Sequence, residues 1–273
     1  MQGVEYGVTH KLTVDFGFPY VFAKYEGPFP HSNPGNTTDN GSYHGTVADF
    51  RFAARYNLEM RPLVITPFIE GIIPSHDYEI FTHSGVGFGL RQLRLGINVG
   101  RYIPSWRSAI QGQYSYGIVD EHFGIRPNRS TIKSQIQYFA TRRFFVSGFQ
   151  AFQKTHGGLD YFPPGFDYSS TNEFWYRHAQ ISSYSFVNVG VSAGYVLNKS
   201  GSLELFGNYM WDVWGQNGHV MNRGVGIGVS INFRTRYYDE KKSIVAQNNC
   251  GVVCRKCQTI FRVPTKRAPT PVR

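Results

Sequence analysis

The feature that most constrains this chain is alternation sustained over long runs. In "KLTVDFGF", Leu12, Val14, Phe16 and Phe18 share one face of an extended chain, with Lys11, Thr13, Asp15 and Gly17 on the other. In "RQLRLGINVGR", Leu93, Leu95, Ile97 and Val99 oppose Gln92, Arg94, Gly96 and Asn98. Phe50, Phe52, Ala54 and Tyr56 oppose Asp49, Arg51 and Arg55, and Ile110, Tyr114 and Tyr116 oppose Gln111, Gln113 and Ser115. Ile132, Ile136 and Tyr138 oppose Lys133 and Gln135; Val187, Val189 and Val191 oppose Asn188 and Gly190. Leu205, Tyr209, Trp211 and Val213 oppose Glu204, Asn208 and Asp212, and "RGVGIGVSINF" closes the series at Phe233.

These runs are nine to fourteen residues long. A soluble strand has about five or six residues, whereas a strand tilted across a bilayer needs about nine to eleven. The pattern predicts an all-β, antiparallel, up-and-down transmembrane β-barrel. The alternative is a soluble β-sandwich, which hides its apolar face between two sheets and uses shorter strands. The connections separate the two. Short turns at 9–10, 59–62, 103–106, 141–143 and 198–201 alternate with long connections at 24–43, 74–84, 120–128, 155–183 and 215–222. Outer-membrane barrels have this alternation of short periplasmic turns and long external loops; a sandwich has no reason to keep it. Aromatic pairs at the strand ends, such as Tyr20 and Phe22, Tyr102 and Trp106, Phe144 and Phe145, and Trp211 and Trp214, suit interfacial girdles.

The register from "GVEYGV" onward gives eleven strands, the last of them descending. Bacterial barrels usually have an even count, so the expectation is an intact barrel of about twelve strands. On that expectation the chain begins inside strand two, with strand one and a signal peptide lost. No run approaches the roughly 18 apolar residues of a membrane helix, and "MQGVEYGVTHKL" lacks the basic start and apolar stretch of a signal peptide.

The net charge of +10 is uneven. Residues 234–273 carry +8 and the first 233 residues only +2, so composition breaks at Phe233. The expected organisation is a barrel over 1–233 and a basic, disordered tail over 234–273.

"VEYGVTHKLTVDFGFPYVF", "HSGVGFGLRQLRLGINVGR", "IQGQYSYG" and "DVWGQNGHVMNRGVGIGVSINF" resemble the outer-membrane barrel family named for the meta-pathway of phenol degradation. The resemblance spans nearly all of residues 3–233. It implies an outer-membrane location and passive uptake of small, hydrophobic or aromatic compounds, and it brings no catalytic residues. Phe233 resembles the terminal aromatic signal read by the barrel-assembly machinery, although here 40 residues follow it.

Asp49, Arg51, Arg55, Glu70, Arg94, Gln111, Gln113, Lys133, Gln135, Asn188, Glu204, Asn208 and Asp212 are expected to line the lumen. Such residues either set conductance and selectivity for a small solute or pair with one another and close the passage. The loop at 155–183 is rich in aromatics; Tyr161, Phe162, Phe166, Trp175 and His178 either form a lid over a hydrophobic ligand or pack on one another. A structural or adhesive barrel acting through its loops is the second reading. A barrel hydrolase is the third, with His83–Ser84, His178, His219, Ser182 and Ser183 as its loop candidates. No ordered motif imposes nucleophile–base geometry on them, so the chain is read as a non-enzyme. "GVGFG" and "GVGIG" have no helix behind them and are not phosphate loops; they ease strand curvature or leave lumenal space.

The cysteines cluster in "CGVVCRKC" near the end of the chain. A radical-enzyme cluster is excluded, since only 16 residues follow Cys257. "CRKCQTIFRVP" resembles half of a zinc ribbon, but Cys250, Cys254 and Cys257 supply three thiolates where a structural zinc site wants four ligands. Three cysteines are also awkward in an oxidising periplasm, so the tail reads as a frameshift or fusion product. No cofactor or metal is expected. Nucleic-acid binding by the basic tail is incompatible with an outer-membrane barrel, whose contacts are lipid, the assembly machinery and a small solute.

Overall fold

The computed structural model describes residues 3–26, 38–60, 62–160, 162, 164–169, 171–218 and 220–232. Tyr161, His219, Phe233 and the three cysteines lie outside the described residues, as does the whole 234–273 segment.

Among the described residues fourteen strands follow one another: β1 (Gly3–Gly7), β2 (Leu12–Gly17), β3 (Tyr20–Ala23), β4 (His44–Val47), β5 (Phe50–Tyr56), β6 (Leu58–Met60), β7 (Leu63–Ile73), β8 (Gln92–Ile103), β9 (Ser108–Val119), β10 (Asn128–Phe139), β11 (Phe144–His156), β12 (Ser185–Val196), β13 (Leu203–Gln216) and β14 (Gly224–Ile231). The main sheet runs β1-β2-β5-β7-β8-β9-β10-β11-β12-β13-β14, every pairing antiparallel, with β6 also on β7. That is a meander of eleven passes, and its two end strands therefore run in the same direction. Among the described residues no pairing joins β1 to β14, and the sheet is an open path. It nonetheless curls round: Glu26, just past β3, lies 4.0 Å from Arg223 at the start of β14.

The breaks in the early strands have local causes. Pro19 has no N–H and interrupts the β2–β3 extension; its carbonyl accepts from Ala48 N at 2.8 Å, opposite the gap between β4 and β5. As a result β3 and β4 form a separate two-stranded sheet. Pro67 does the same inside β7: the ladder stops at Arg55–Phe68 and resumes at Leu58–Ile65. The expected single strand over 46–56 is thus two strands, and Asp49 sits in the break rather than in a strand.

Burial is the reverse of a soluble protein's. Leu95 is 50% exposed, Ile136 59% and Ile227 82%, while Thr66, Ser115, Gln137 and Glu204 are at most 2% exposed. With a side-chain period of two, cross-strand register carries this distinction from strand to strand: Leu95, Tyr116 and the other alternate apolar residues point out, and their polar neighbours point in. A continuous outer apolar belt of this kind fits lipid and is a liability in water.

Apolar side chains also lie inside, as a small cluster and as separate phenylalanine–glycine pairs. At the short-turn end Phe139, Phe145 and Ala109 are buried with Tyr102 packed on them. Tyr102 and Phe145 are therefore not girdle residues as their sequence positions suggest, whereas Trp106, Tyr20, Phe22, Phe144 and Trp214 are exposed as a girdle requires. On the inner wall Phe68, Phe145, Phe149 and Phe206 reach over the cross-strand glycines Gly96, Gly194, Gly190 and Gly228, where a Cβ would overlap the ring. At the long-loop end the segment between β7 and β8 runs to residue 91, so "GVGFG" is loop, not strand; only "GVGIG" lies in a strand, β14.

Leu95→Arg, on the outer belt, is expected to cost about 2–4 kcal/mol of folding free energy in a bilayer. Asn98→Arg, on the inner face, is expected to cost less than half as much. Equilibrium unfolding in lipid vesicles reads both.

Candidate functional site

The inner face is organised in rows that follow the cross-strand register. One row runs Glu5, Asp15, Ala53, Glu70, Arg94, Gly117, Arg129, Thr155. Acids occupy its β1–β7 end and bases its β8–β10 end. Within it Arg94 Nη1 donates to Glu70 Oε2 at 2.8 Å and Nη2 to Gln92 Oε1 at 2.9 Å. Arg55, one pleat from Ala53, sets its Nε 3.2 Å from Asp15 Oδ2. Both pairs are direct products of register, since Glu70 and Arg94 are cross-strand partners.

A second row runs Asn98, Gln113, Lys133, Ala151, Asn188, Asp212. Asn188 Nδ2 donates to Asp212 Oδ1 at 3.1 Å, and Asp212 Oδ2 accepts from Met221 N at 2.7 Å. The third row holds Gln111, Gln135 and Phe149. Gln135 Nε2 donates to Ser147 Oγ at 3.0 Å, and Ser147 and Ser192 share a 2.5 Å hydrogen bond. Asn208 packs over Gly226, and Glu204 is buried opposite Ser230. The sequence-selected residues in strands thus share the inner face. Asp49, in its break, accepts from the Tyr78 hydroxyl at 2.5 Å, and Tyr78 Oη accepts from Gly89 N at 2.8 Å. Burial, then the hydrogen bond to Asp49 and its charge, push the Tyr78 phenol well above its ordinary range, so it stays a donor.

Arg129, Asp15, Tyr78 and Phe88 were not singled out from sequence. Arg129 shares parity with Lys133 four residues on, which was the available signal. The Arg129 guanidinium lies 4.1 Å from the Phe88 ring centroid. Gln180 Nε2 donates to Phe88 O at 2.7 Å and fixes the external loop to this spot. That loop contains two short helices, α1 (Glu173–Tyr176) and α2 (His178–Ile181). Asn172 caps α1 by accepting from Phe174 N at 3.0 Å, and Glu173 pairs with Arg177 at 2.6 Å. Ile181 is fully buried.

The loop aromatics form one ring network. Phe162 and Phe166 are 4.7 Å apart, Phe166 and Tyr168 5.2 Å, and Tyr168 and Trp175 5.0 Å; Trp175 stacks on His178 at 4.1 Å. Phe123 extends the network from the 120–127 loop through Phe174, and Phe81 stacks on Tyr176.

The hydrolase candidates are arranged otherwise than a triad requires. Ser84 Oγ donates to Asp39 Oδ1 at 2.9 Å and lies 3.4 Å from His44 Nε2, so the acid accepts a hydrogen bond from the serine hydroxyl itself. Ser182 Oγ donates to the His178 carbonyl, and Ser183 Oγ to Asp160. Asp39 is a structural tie. Burial would raise its carboxyl, but the His83 N–H, the Thr82 hydroxyl and the Ser84 hydroxyl and N–H bring it down to about 2.

Comparison with protein-family models and with curated proteins gives no match. Solved structures do match. An outer membrane channel from Pseudomonas putida F1 aligns with TM-score 0.58 and 13% identity, over 84% of this chain and 81% of that one. The NanC porin aligns with TM-score 0.51 and 10% identity, over 85% of this chain and 91% of that one. At these identities the likeness establishes the fold, that of an up-and-down β-barrel, which removes the sandwich alternative.

A carboxylate with a depressed folded-state value stabilises above its unfolded value of about 3.9 and loses that contribution as pH falls toward about 2. Hydrogen-exchange protection of the His83 and Ser84 amides, referenced to intrinsic rates, is expected to hold at pH 5 and to collapse between about pH 4 and pH 2. In Asp39→Asn it is expected to be lost at every pH.

Proposed function

We propose that this chain is an outer-membrane β-barrel that passes or binds small molecules passively, without catalysis. The observation that carries the reading is an exposed apolar face along the long strands, with the buried polar side chains on the inner face, on the fold of an outer membrane channel and a porin. A lumen lined with glutamine, asparagine, serine and paired charges offers a solute hydrogen bonds in place of its hydration shell. No gate, cofactor or energy source is needed for diffusion down a gradient.

A preference for aromatic or hydrophobic solutes is part of the proposal. The resemblance to the phenol meta-pathway family supports it, as do the rings of Phe68, Phe149 and Phe206 on the inner wall, which offer apolar contact. The aromatic loop network favours a second, narrower role for the 155–183 loop as a rigid external cap. Its rings contact one another and the neighbouring loops. Phe233 as a signal to the assembly machinery completes the proposal.

Reconstituted full-length protein is expected to give discrete single-channel current steps in planar bilayers. Arg51→Gln and Arg55→Gln are each expected to change the unit conductance. A heat-modifiable, folded protein that gives no current in any applied field would refute passage and leave the structural reading through the loops.

A further inference from the structure

The segment between β7 and β8 leaves the wall that it connects. Its glycine-rich stretch, residues 85–89, meets side chains from well-separated parts of the sheet. On one side the Tyr78 hydroxyl donates to Asp49 Oδ1 at 2.5 Å, in the break between β4 and β5, and accepts from Gly89 N at 2.8 Å. Gly87 lies in the same corner: a Cβ there would overlap the Tyr78 hydroxyl and come 3.4 Å from Asp49 Oδ1, so only glycine fits. On the other side the Phe88 ring lies over the Arg129 guanidinium of β10, 4.1 Å from centroid to Cζ. The same ring is 6.2 Å, centroid to centroid, from Tyr184, the residue before β12. Gln180 Nε2 of α2 holds the backbone between these contacts, donating to Phe88 O at 2.7 Å.

Sheet order turns the contacts into a position. From β5 to β10 is four strand steps, and from β5 to β12 six. At about 4.8 Å per step these are arcs of about 19 Å and about 29 Å along the wall. Gly87 and Phe88 are consecutive, about 3.8 Å from Cα to Cα. Two neighbouring residues reach both ends of such an arc only by lying off the wall, across the space it encloses. Arg129 has the parity of Thr131, which is 7% exposed and faces inward, so the ring resting on it is inside as well. The interior is therefore bridged near its long-loop end by a strap of backbone whose largest side chain is Phe88. With Gly87 and Gly89 on either side, the phenyl ring is the bulk at that level. Tyr78 and Gln180, which tie the strap down, are 8% and 2% exposed.

We infer that Phe88 is the specificity-determining residue of the passage: residues 85–89 form its constriction, and the Phe88 ring, held on Arg129, sets the size of solute that gets through. The inference rests on the reading of this protein as a passive channel and adds the place at which passage is limited. A neutral ring restricts by bulk, and pore diameter decides passage for uncharged solutes.

The test is single-channel recording of the full-length protein, with swelling of reconstituted liposomes in neutral sugars graded from arabinose to raffinose. Phe88→Ala is expected to raise unit conductance at least about 1.5-fold and to admit larger sugars than the parent does. Phe88→Leu is expected to fall between Phe88→Ala and the parent, and Phe88→Trp below the parent. An order that follows side-chain volume separates a ring that fills the passage from one that only steadies the loop, because loosening the loop moves all three variants the same way. Phe152→Ala, on the outer face of β11 opposite the exposed Ile132, is expected to match the parent, and heat-modifiable migration verifies folding of every variant. Conductance and sugar cut-off that are unchanged, or that shift without regard to volume, would overturn the constriction and leave passage standing. Neither current nor swelling from any form would overturn passage and the constriction with it.

Discussion

A peptide group surrounded by hydrocarbon has no water to bond to, so each strand must satisfy its N–H and C=O groups on its neighbours. Everything else in this protein follows from that requirement. Once the ladders form, the period of two assigns each side chain to lipid or to the interior, and a slip of one residue would turn every leucine inward and every arginine outward. Register is therefore over-determined along β8 to β13, strands of twelve to fourteen residues whose alternation is interrupted by one register shift, where Val187 pairs Trp214 and Asn188 pairs Asp212. Where a proline withholds its N–H the ladder breaks: at Pro19 the strand itself is divided, and at Pro67 β7 runs on while its partner is split into β5 and β6.

The same constraint builds the inner wall. Glu70 and Arg94 meet because β7 and β8 pair in one register only, and Arg129 reaches the same row through Gly117. Packing is economical elsewhere on the wall, where a phenyl ring lies over a glycine in four cross-strand pairs, one on β7–β8 and three on β11–β14, and covers backbone that would otherwise be bare. The external loops are fixed to this frame at a few points. Tyr78 joins Gly89 to Asp49, Gln180 joins α2 to Phe88, and Asp39 gathers the amides and hydroxyls of residues 82–84.

Much of this was legible in the chain. Alternation identifies both faces of a strand without knowledge of its partner, which is why residues from Arg51 to Asp212 that share one face of the sheet could be chosen from sequence. Alternation also misleads where it has other causes. The glycines of residues 85–89 mimic a strand but serve a loop, with Gly89 at φ +60° accepting a conformation other residues resist. Tyr102 and Phe145 read as girdle residues because strand ends are rich in aromatics on both faces, and only the burial of Phe139 beside them shows their direction. Helices of four residues leave no period to detect, although Asn172 followed by Glu173 and Arg177 was a capping signal. The ionic partners were illegible in principle: Asp15 and Arg55 are forty positions apart and meet only through the β2–β5 register.

The claim on which the account depends is that adjacent residues of one strand face opposite solvents. The direct measurement is cysteine reactivity along β10, with Cys250, Cys254 and Cys257 replaced by serine and the protein in lipid vesicles. Cysteine at Lys133 or Gln135 is expected to react with a charged, water-soluble thiosulfonate, and cysteine at Ile132 or Ile136 only with a membrane-soluble maleimide. Equal reactivity of neighbouring positions toward the charged reagent would mean that both faces meet water, and would contradict a barrel in a bilayer.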